Sequence, residues 1–302
     1  MSNVATAPDL ADKPDAPRNA GGNTNAAYDS RNKTFNRICF GVLIVFSIIW
    51  LIPLLWAVDT ALKPNAETTI APVTWWIENP TLQAFQDALS DGNIWRWYMS
   101  SFITSAAVAV GTVITASMAA FALSRMRFRG RGFAFFFVLV GIMIPGQVLI
   151  VPLFREFDAL RLLNTYWAVI LPQIPAAVSV FIFKQFFDGL PRELDEAARV
   201  DGASTWKIYR QVVMPLSRPA VSAVAIFAFV WSWNNLLWPL LVLTNPNLMT
   251  IQVGLATVQG SYGIRYADIM ASSLLGGLPL ILLFLFFQRQ IVEGIAGTGL
   301  KG

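Results

Sequence analysis

Acidic, basic and small residues are concentrated between Leu190 and Pro219, a polar segment that separates two apolar stretches. Carboxylates and guanidinium groups in such a segment suit recognition of a charged surface on another protein. Catalysis is a poorer explanation, because the chain contains no histidine, and this removes Ser-His-Asp and Cys-His nucleophiles, the usual zinc sites and histidine proton relays. We predict no catalytic residue, no metal ligand and no cofactor site in this chain.

The polar segment also carries the start and stop signals of two short helices. Pro191 favours a first helix start, Gly202 favours its end, and Ser204 with Thr205 favours a second start, which Pro215 stops. A plain linker would need none of these signals. We therefore predict a surface that docks against another protein, with a merely solvated helical hairpin as the alternative.

The first of these helices, predicted over 192–200, has a thin apolar face. That face is formed by Leu194, Ala197 and Ala198. The charged side chains are expected to point elsewhere, namely Arg192, Glu193, Asp195 and Arg199. Small side chains let a helix approach a partner closely. The second helix, predicted over 205–214, is expected to direct four residues toward the membrane interface or neighbouring helices, namely Trp206, Tyr209, Val212 and Val213.

The composition predicts an integral membrane protein. Of 302 residues, 55% are hydrophobic and 13% are charged, which is more apolar surface than a soluble domain of this length can bury. Apolar segments without Asp, Glu, Lys or Arg occur at 38–58, 98–123, 133–154, 164–183, 219–243 and 269–287. Each is near or above the ~20 residues with which a helix crosses a bilayer.

The distribution of positive charge predicts the orientation. The regions that would share a side with the termini hold 17 of the 22 Lys and Arg residues, so both termini are placed in the cytoplasm. Arg125, Arg127, Arg129 and Arg131 are interpreted as stop-transfer charges rather than as a nucleic-acid or head-group site. We thus predict an all-α integral membrane protein with six transmembrane helices and a cytoplasmic coupling hairpin between spans four and five.

Two sources of transport energy are absent from the sequence. No stretch matches the phosphate-binding pattern G-x-x-x-x-G-K-[ST], so the chain is not expected to hydrolyse ATP. The predicted spans hold no ionisable side chain, whereas ion-coupled transporters usually place one there. An ion-coupled secondary transporter is therefore the weaker alternative, and a membrane scaffold that recruits a soluble enzyme is another. We expect energy to enter through the polar segment.

The polar segment resembles a known motif at seven positions, five of them with the identical residue. Glu196-Ala197-Ala198, Gly202 and the run from Val212 to Pro215 are similar to the E-A-A-x3-G-x9-I-x-L-P loop of binding-protein-dependent ABC importer permeases. The departures are conservative, with Val for Ile and Met for Leu. Within that family, the chain resembles the carbohydrate-importer branch, of the maltose-permease second-subunit type. This resemblance is carried by residues 61–64, 119–131, 143–147 and 288–302. The resemblance covers about residues 38–302.

The resemblance implies partners and a coupling site. A cytoplasmic ABC ATPase dimer would bind ATP and Mg²⁺, a second, nonidentical permease would complete the pathway, and an extracytoplasmic solute-binding protein would deliver a sugar. The chain would span a bacterial or archaeal cell (inner) membrane in contact with lipid and without nucleic acid. A permease for glycerol phosphate or another polyol derivative is the alternative. The implied coupling residues are Glu196, Ala197, Ala198, Asp201, Gly202, Ala203, Trp206 and Pro215.

Polar residues inside the spans predict a translocation route, because an amide that faces lipid lacks hydrogen-bond partners. Aromatic faces beside amide edges also suit sugar rings. The predicted pathway residues are Asn234, Asn235, Trp231, Trp233 and Gln147. Prolines next to Gln147 and Gln173 predict kinks in spans three and four, which could open a cavity or simply accommodate packing. The alternative is that the tryptophans anchor the membrane interface and the amides join helices.

These predictions divide the chain into four regions. They are a disordered cytoplasmic tail (1–36), the first span with its outward loop (37–96), a five-span importer domain (97–288) that contains the docking loop (188–218), and a cytoplasmic tail (289–302). The third outward loop, 244–268, contains Gly254, Gly260 and Gly263. We expect it to be flexible enough to reach a docked binding protein.

Overall fold

The computed structural model of the chain describes residues 24–69, 74–90, 93–261 and 265–299. Every regular element within these ranges is helical. The chain divides into two compact units, residues 1–56 and 57–302. In the first unit the described residues belong to one helix, which begins at Thr24. The second unit contains all the predicted site residues.

The helices are named in chain order. They are α1 (Thr24–Ala61), α2 (Asn65–Thr68), α3 (Gln83–Ser90), α4 (Ile94–Arg125), α5 (Arg131–Met143), α6 (Ile150–Ala159), α7 (Tyr166–Ile170), α8 (Ala177–Asp188), α9 (Glu193–Val200), α10 (Thr205–Ile208), α11 (Met214–Leu216), α12 (Arg218–Trp233), α13 (Leu237–Val242), α14 (Ile251–Ser261) and α15 (Tyr266–Gly299). Short 3₁₀ turns cover Gly146–Leu149 and Leu171–Gln173, and a π-helical turn covers Tyr209–Val213.

Three described helices are long and apolar enough to cross a membrane by themselves, and up to six spans result if bent pairs are counted. The single helices are the apolar parts of α1, α4 and α15. The bent pairs are Arg131–Met143 with Gly146–Ala159 (93°), Tyr166–Gln173 with Ala177–Asp188 (44°) and Thr205–Leu216 with Arg218–Trp233 (80°). The kinks predicted beside Gln147 and Gln173 are therefore confirmed.

The break between α7 and α8 is stabilised by a polar contact from α4. Pro175 has no backbone N–H and interrupts the helical hydrogen bonds. Thr112 donates its hydroxyl hydrogen to the Ile174 carbonyl at 3.2 Å. Gly111 permits this approach, since a Cβ at that position would lie 2.7 Å from Ile174 Cδ1. The backbone group exposed by the break thus finds a partner within the protein.

Helix α4 lies at the centre of the packing. In the most apolar stretch of α4, 44% is buried inside the protein, whereas the corresponding value for α15 is 17%. It packs against α8 and α12, and Phe121 on α4 contacts Tyr209 edge-on with ring centroids 5.3 Å apart. The hydroxyls of Ser117 and Tyr209 also lie 2.8 Å apart in a hydrogen bond. Helix α4 therefore joins the 188–218 loop to α8 and α12.

Large apolar side chains are exposed on several helices. Phe133 is 67% exposed, Met143 81% and Phe286 77%. A protein in water rarely shows so much contiguous apolar surface. Lipid or another apolar subunit surface suits these side chains, in keeping with a membrane-embedded chain.

The expectation of a flexible 244–268 loop is wrong for residues 251–261, which form α14. Ile251, Val253 and Leu255 are buried in one cluster with Trp97. A Cβ on Gly254 would lie 2.1 Å from the Trp97 ring. This glycine therefore serves close packing rather than flexibility. Gly263 lies outside the described residues.

The packing of Gly254 predicts a loss of stability on substitution. We expect Gly254→Ala to lower the free energy of unfolding by about 1–3 kcal/mol, because the added methyl must displace a buried indole. Gly277→Ala on α15 is the matched control, since no described atom outside its own helix lies within 4 Å of the Cβ it would add. Thermal unfolding in detergent measures both variants. Equal midpoints for the two would contradict the packing argument.

Candidate functional site

The first helix of the 188–218 loop forms almost as predicted. Helix α9 begins at Glu193, one residue after the predicted start, and ends at Val200. Gly202 adopts φ +76°, a conformation that favours glycine, and its N–H donates to the Arg199 carbonyl at 3.0 Å. The Ser204 hydroxyl then accepts a hydrogen bond from the Lys207 N–H and caps α10. The loop therefore has a defined geometry.

The second helix of the loop extends beyond its predicted end. Pro215 lies near the end of a continuous helical path that includes the π-helical turn Tyr209–Val213, and this path ends one residue later, at Leu216. The chain then bends by 80° into α12. Tyr209 and Val213 are buried against neighbouring helices, in agreement with the prediction, whereas Trp206 remains 57% exposed.

Asp195, predicted to point away from the face of Leu194, Ala197 and Ala198, is nevertheless buried. Its residue is only 7% exposed, and its Oδ2 lies 3.1 Å from Arg125 Nη1. The Arg125 side chain is 3% exposed, so the stop-transfer interpretation is incomplete for this residue. Hydrophobic periodicity assigns a carboxylate to the solvent side, but a paired carboxylate can be buried. The ion pair joins the end of α4 to α9.

Arg125 also binds the chain between α8 and α9. Its Nη2 donates to the carbonyls of Phe187 at 2.6 Å and Leu190 at 2.9 Å. The Phe187 carbonyl also accepts a hydrogen bond from the Leu190 N–H at 3.1 Å, so the guanidinium group reinforces the turn that follows α8. Beside it, the Ser124 hydroxyl donates to Asp188 Oδ1 at 2.5 Å. The start of the 188–218 loop is therefore held to α4 by side chains of two consecutive residues.

The opposite side of α9 is open. We define the exposed face as Glu193, Glu196, Ala197 and Val200, which the helical period places together. Val200 is 88% exposed. The predicted apolar face is split, because Ala198 packs inward while Ala197 faces outward and Leu194 is 40% exposed. An apolar side chain near two carboxylates, left uncovered by the described part of its own chain, suits contact with another protein.

A cavity of about 390 Å³ borders α9 on its charged side. Its lining residues are Arg125, Met126, Arg127, Arg192, Asp195, Glu196, Arg199 and Thr205. Guanidinium groups surround the two carboxylates there. The loop thus presents both signs of charge, which favours a specific charged partner over a lipid surface.

A larger cavity, of about 660 Å³, lies beside the breaks between α5 and α6, between α7 and α8, and between α12 and α13. We call it the amide pocket. It brings together four of the predicted pathway residues and one further glutamine, namely Gln147, Trp231, Asn234, Asn235 and Gln173. Trp233 is placed elsewhere, because it is buried, donates to the Gly276 carbonyl at 3.1 Å and stacks on Phe229.

The amides of this pocket have different surroundings. Asn235 donates to Gln173 Oε1 at 3.2 Å, and Gln173 donates to the Val169 carbonyl at 2.7 Å, so these two join helices. Asn234 is exposed and donates to the Val230 carbonyl at 3.0 Å. Trp231 is 77% exposed. The accessible surfaces of the pocket therefore include an amide edge and an indole face.

Residues 111–291 match the family described as binding-protein-dependent transport system inner membrane component. The match includes the complete 188–218 loop and the amide pocket. The chain belongs to this family. It is therefore a transport permease component.

Relatives in the same family cover most of the chain. The arabinooligosaccharides transport system permease protein AraQ of Halalkalibacterium halodurans is 39% identical over 261 residues, covering 86% of this chain and 92% of that protein. The sulfoquinovosyl glycerol transport system permease protein SmoH of Agrobacterium fabrum is 34% identical over the full length of both. The sn-glycerol-3-phosphate transport system permease protein UgpE of Salmonella typhi is 34% identical, covering 76% and 83%.

One solved structure supports the fold of this permease. A bacterial ABC transporter involved in the import of the acidic polysaccharide alginate matches with a TM-score of 0.74 and 20% identity. The match covers 86% of this chain and 97% of the solved one. At this identity the likeness shows the fold alone.

Three residues of this permease's candidate sites were not predicted. Val200 could have been found, because its spacing from Glu193 and Glu196 places all three on one helix face. Gln173 was linked to a kink that could open a cavity, but it was not among the predicted pathway residues. The role of Arg125 had no local signal, because its partners lie on other helices.

Proposed function

We propose that this permease is a subunit of an ATP-driven, binding-protein-dependent carbohydrate importer. In this proposal the chain has six spans, both termini are cytoplasmic, and α9 docks as a coupling helix on a cytoplasmic ATPase dimer that binds ATP and Mg²⁺. A second, nonidentical permease completes the pathway, and a solute-binding protein delivers the cargo. Family membership, together with the uncovered exposed face of α9, carries the proposal.

The coupling site combines a rigid base with an accessible surface. Glu196 and Val200 would meet the ATPase, with Ala197 permitting close approach. Gly202 permits the turn that follows α9. In this turn the N–H groups of Asp201 and Ala203 donate to carbonyls of α9. Trp206 packs against Tyr209 with ring centroids 5.1 Å apart, and Pro215 lies in the short helix that precedes α12. ATP-driven closure of the partner would move α9 and change the packing of the long helices.

A neutral sugar is the proposed cargo. The names of the relatives include both arabinooligosaccharides and sn-glycerol-3-phosphate. None of the described residues that line the amide pocket is charged. A phosphate group would favour Arg or Lys in such a site, whereas an indole face and amide edges suit sugar rings. An anionic polyol derivative stays the second candidate, since a sister permease could supply the charge.

The family also favours ATP as the energy source over an ion gradient. A permease of this class receives its energy from another subunit, and the apolar spans of the sequence hold no ionisable residue for ion coupling. A scaffold without transport activity would not need a largely apolar cavity with a few amide groups beside helical breaks.

Isolation of the native complex tests the proposal. We expect the tagged chain, extracted gently from its membrane, to copurify with an ATPase and a second permease. We also expect a solute-binding protein with its sugar to stimulate ATP hydrolysis by the complex. A screen of neutral saccharides and glycerol phosphates identifies the cargo. A chain that purifies alone, without ATPase activity, would refute the proposal and make ion-driven flux the next assay.

A further inference from the structure

Arg125 contacts three separate parts of the chain at once. It is the last residue of α4, and its guanidinium group binds Asp195 on α9 at 3.1 Å. The same group donates to the carbonyls of Phe187, at the end of α8, and Leu190, in the following turn. A planar guanidinium can hold several acceptors in fixed directions, which a lysine ammonium cannot do. Arg125 thus fixes where α9 lies relative to α4 and α8.

This arrangement is more than a surface ion pair. The side chains of Arg125 and Asp195 are 3% and 10% exposed. A buried pair gains little net stability, because both charges lose water, but it strongly favours one geometry. Apolar packing could have held α9 more simply. A buried pair at this position is therefore better explained by the need to keep α9 in one orientation when a force acts on it.

Helix α4 leads from this pair to the amide pocket. It packs along α12, which supplies Phe227, Val230 and Trp231 to the pocket wall. It also donates from Thr112 to the break at Ile174, beside the pocket residue Gln173. A displacement of α9 transmitted through Arg125 would therefore reach two walls of the pocket through packed helices. Spans four and five, which adjoin the loop in sequence, are not the only route.

We propose that Arg125 is the positioning residue that couples α9 to α4, so that movement of the docked loop changes the amide pocket. This inference rests on the proposed function and adds the route of transmission within this chain. Its direct partner is Asp195. The hydrogen bonds to the Phe187 and Leu190 carbonyls keep the guanidinium group in place while the ion pair of Arg125 and Asp195 transmits movement of α9 to α4.

The test uses the complete reconstituted complex with its binding protein and sugar. We compare Arg125→Gln, Asp195→Asn and Arg125→Lys with Arg129→Gln, an exposed arginine of the same basic stretch. The readouts are basal ATP hydrolysis, its stimulation by binding protein and sugar, and sugar transported per ATP. We expect the Gln and Asn variants to keep basal hydrolysis and lose stimulation. The amount of sugar transported per ATP should fall roughly tenfold. This decrease lies within the range of about 5- to 150-fold that is typical of coupling between two sites.

Two further comparisons separate positioning from folding. Arg125→Lys keeps the charge opposite Asp195 and should retain part of the coupling. The double variant Arg125→Gln with Asp195→Asn should resemble the single variants, because both remove one link. Unchanged transport per ATP in Arg125→Gln, or an equal fall in basal hydrolysis and transport, would overturn the inference. A wild-type complex without ATPase activity would instead refute the proposed function.

Discussion

Glu196→Lys should abolish sugar uptake while leaving the protein inserted in the membrane. Glu196 lies on the exposed face of α9, outside the buried pair of Arg125 and Asp195, so its reversal leaves the fold intact. Like charges brought together at an interface cost several kcal/mol. At about 1.4 kcal/mol per factor of ten, docking should weaken by roughly a hundredfold or more. Uptake by cells and copurification of the ATPase measure this loss.

Glu78→Lys provides the matched control for charge reversal. Glu78 is also exposed, but it precedes α3 and lies far from the loop in sequence. We expect this variant to retain uptake and ATPase association. The abundance of each variant in the membrane must equal that of the wild type. Normal uptake in Glu196→Lys at equal abundance would exclude α9 as the docking helix.

Gly202→Asp should also abolish sugar uptake, but for a different reason. Gly202 has φ +76°, and a Cβ there would meet no described atom within 4 Å in this chain. The substitution therefore costs about 1 kcal/mol of backbone strain without an internal clash. In the complex, however, the added carboxylate would stand where the ATPase is expected to approach.

Gly130 is a close control for this substitution. It has φ +85°, and a Cβ added there would likewise meet no described atom within 4 Å, but it precedes α5 rather than following α9. Gly130→Asp should carry a similar strain and keep uptake. Equal loss of uptake in both glycine variants would point to strain alone and contradict the docking role of the turn at Gly202.

Local patterns in the sequence were sufficient to predict the short helices of the 188–218 loop. The positions of Pro191, Gly202 and Ser204 predicted α9 to within one residue, because caps and stops act over a few neighbouring residues. Proline likewise predicted the bends near Gln147 and Gln173. The large 93° angle itself was not predictable, since it depends on how α6 packs against distant helices.

Long-range pairing explains what the sequence did not reveal. The burial of Asp195 was not predicted, because a carboxylate is costly to bury alone and nothing near it in sequence identifies Arg125 as its partner. Gly254 was also misjudged from the sequence, because it was expected to be flexible and is packed instead. A glycine in a loop suggests freedom, but here Trp97 packs against its Cα, a contact that only the fold reveals. In both cases α4 supplies the missing partner.

The amide pocket is expected to bind the transported sugar through Trp231 and Asn234. Trp231→Ala removes an indole face for stacking, and Asn234→Ala removes an amide edge that the fold leaves exposed. Each contact should contribute about 1 kcal/mol, so KM for uptake should rise roughly fivefold in each variant. The double variant should lose about 2 kcal/mol, or about thirtyfold, if the two contacts act independently. Uptake is measured against concentration of the sugar found to stimulate the complex.

Trp167→Ala is the control for the loss of an exposed indole. Trp167 is 58% exposed on α7 and does not line the pocket. Its KM should stay near the wild-type value. Asn235→Leu should behave differently from Asn234→Ala, because Asn235 joins helices through Gln173, and its loss should lower thermal stability as well as uptake. If KM is unchanged in Trp231→Ala and Asn234→Ala, the sugar passes without contacting this pocket, and recognition belongs to the sister permease.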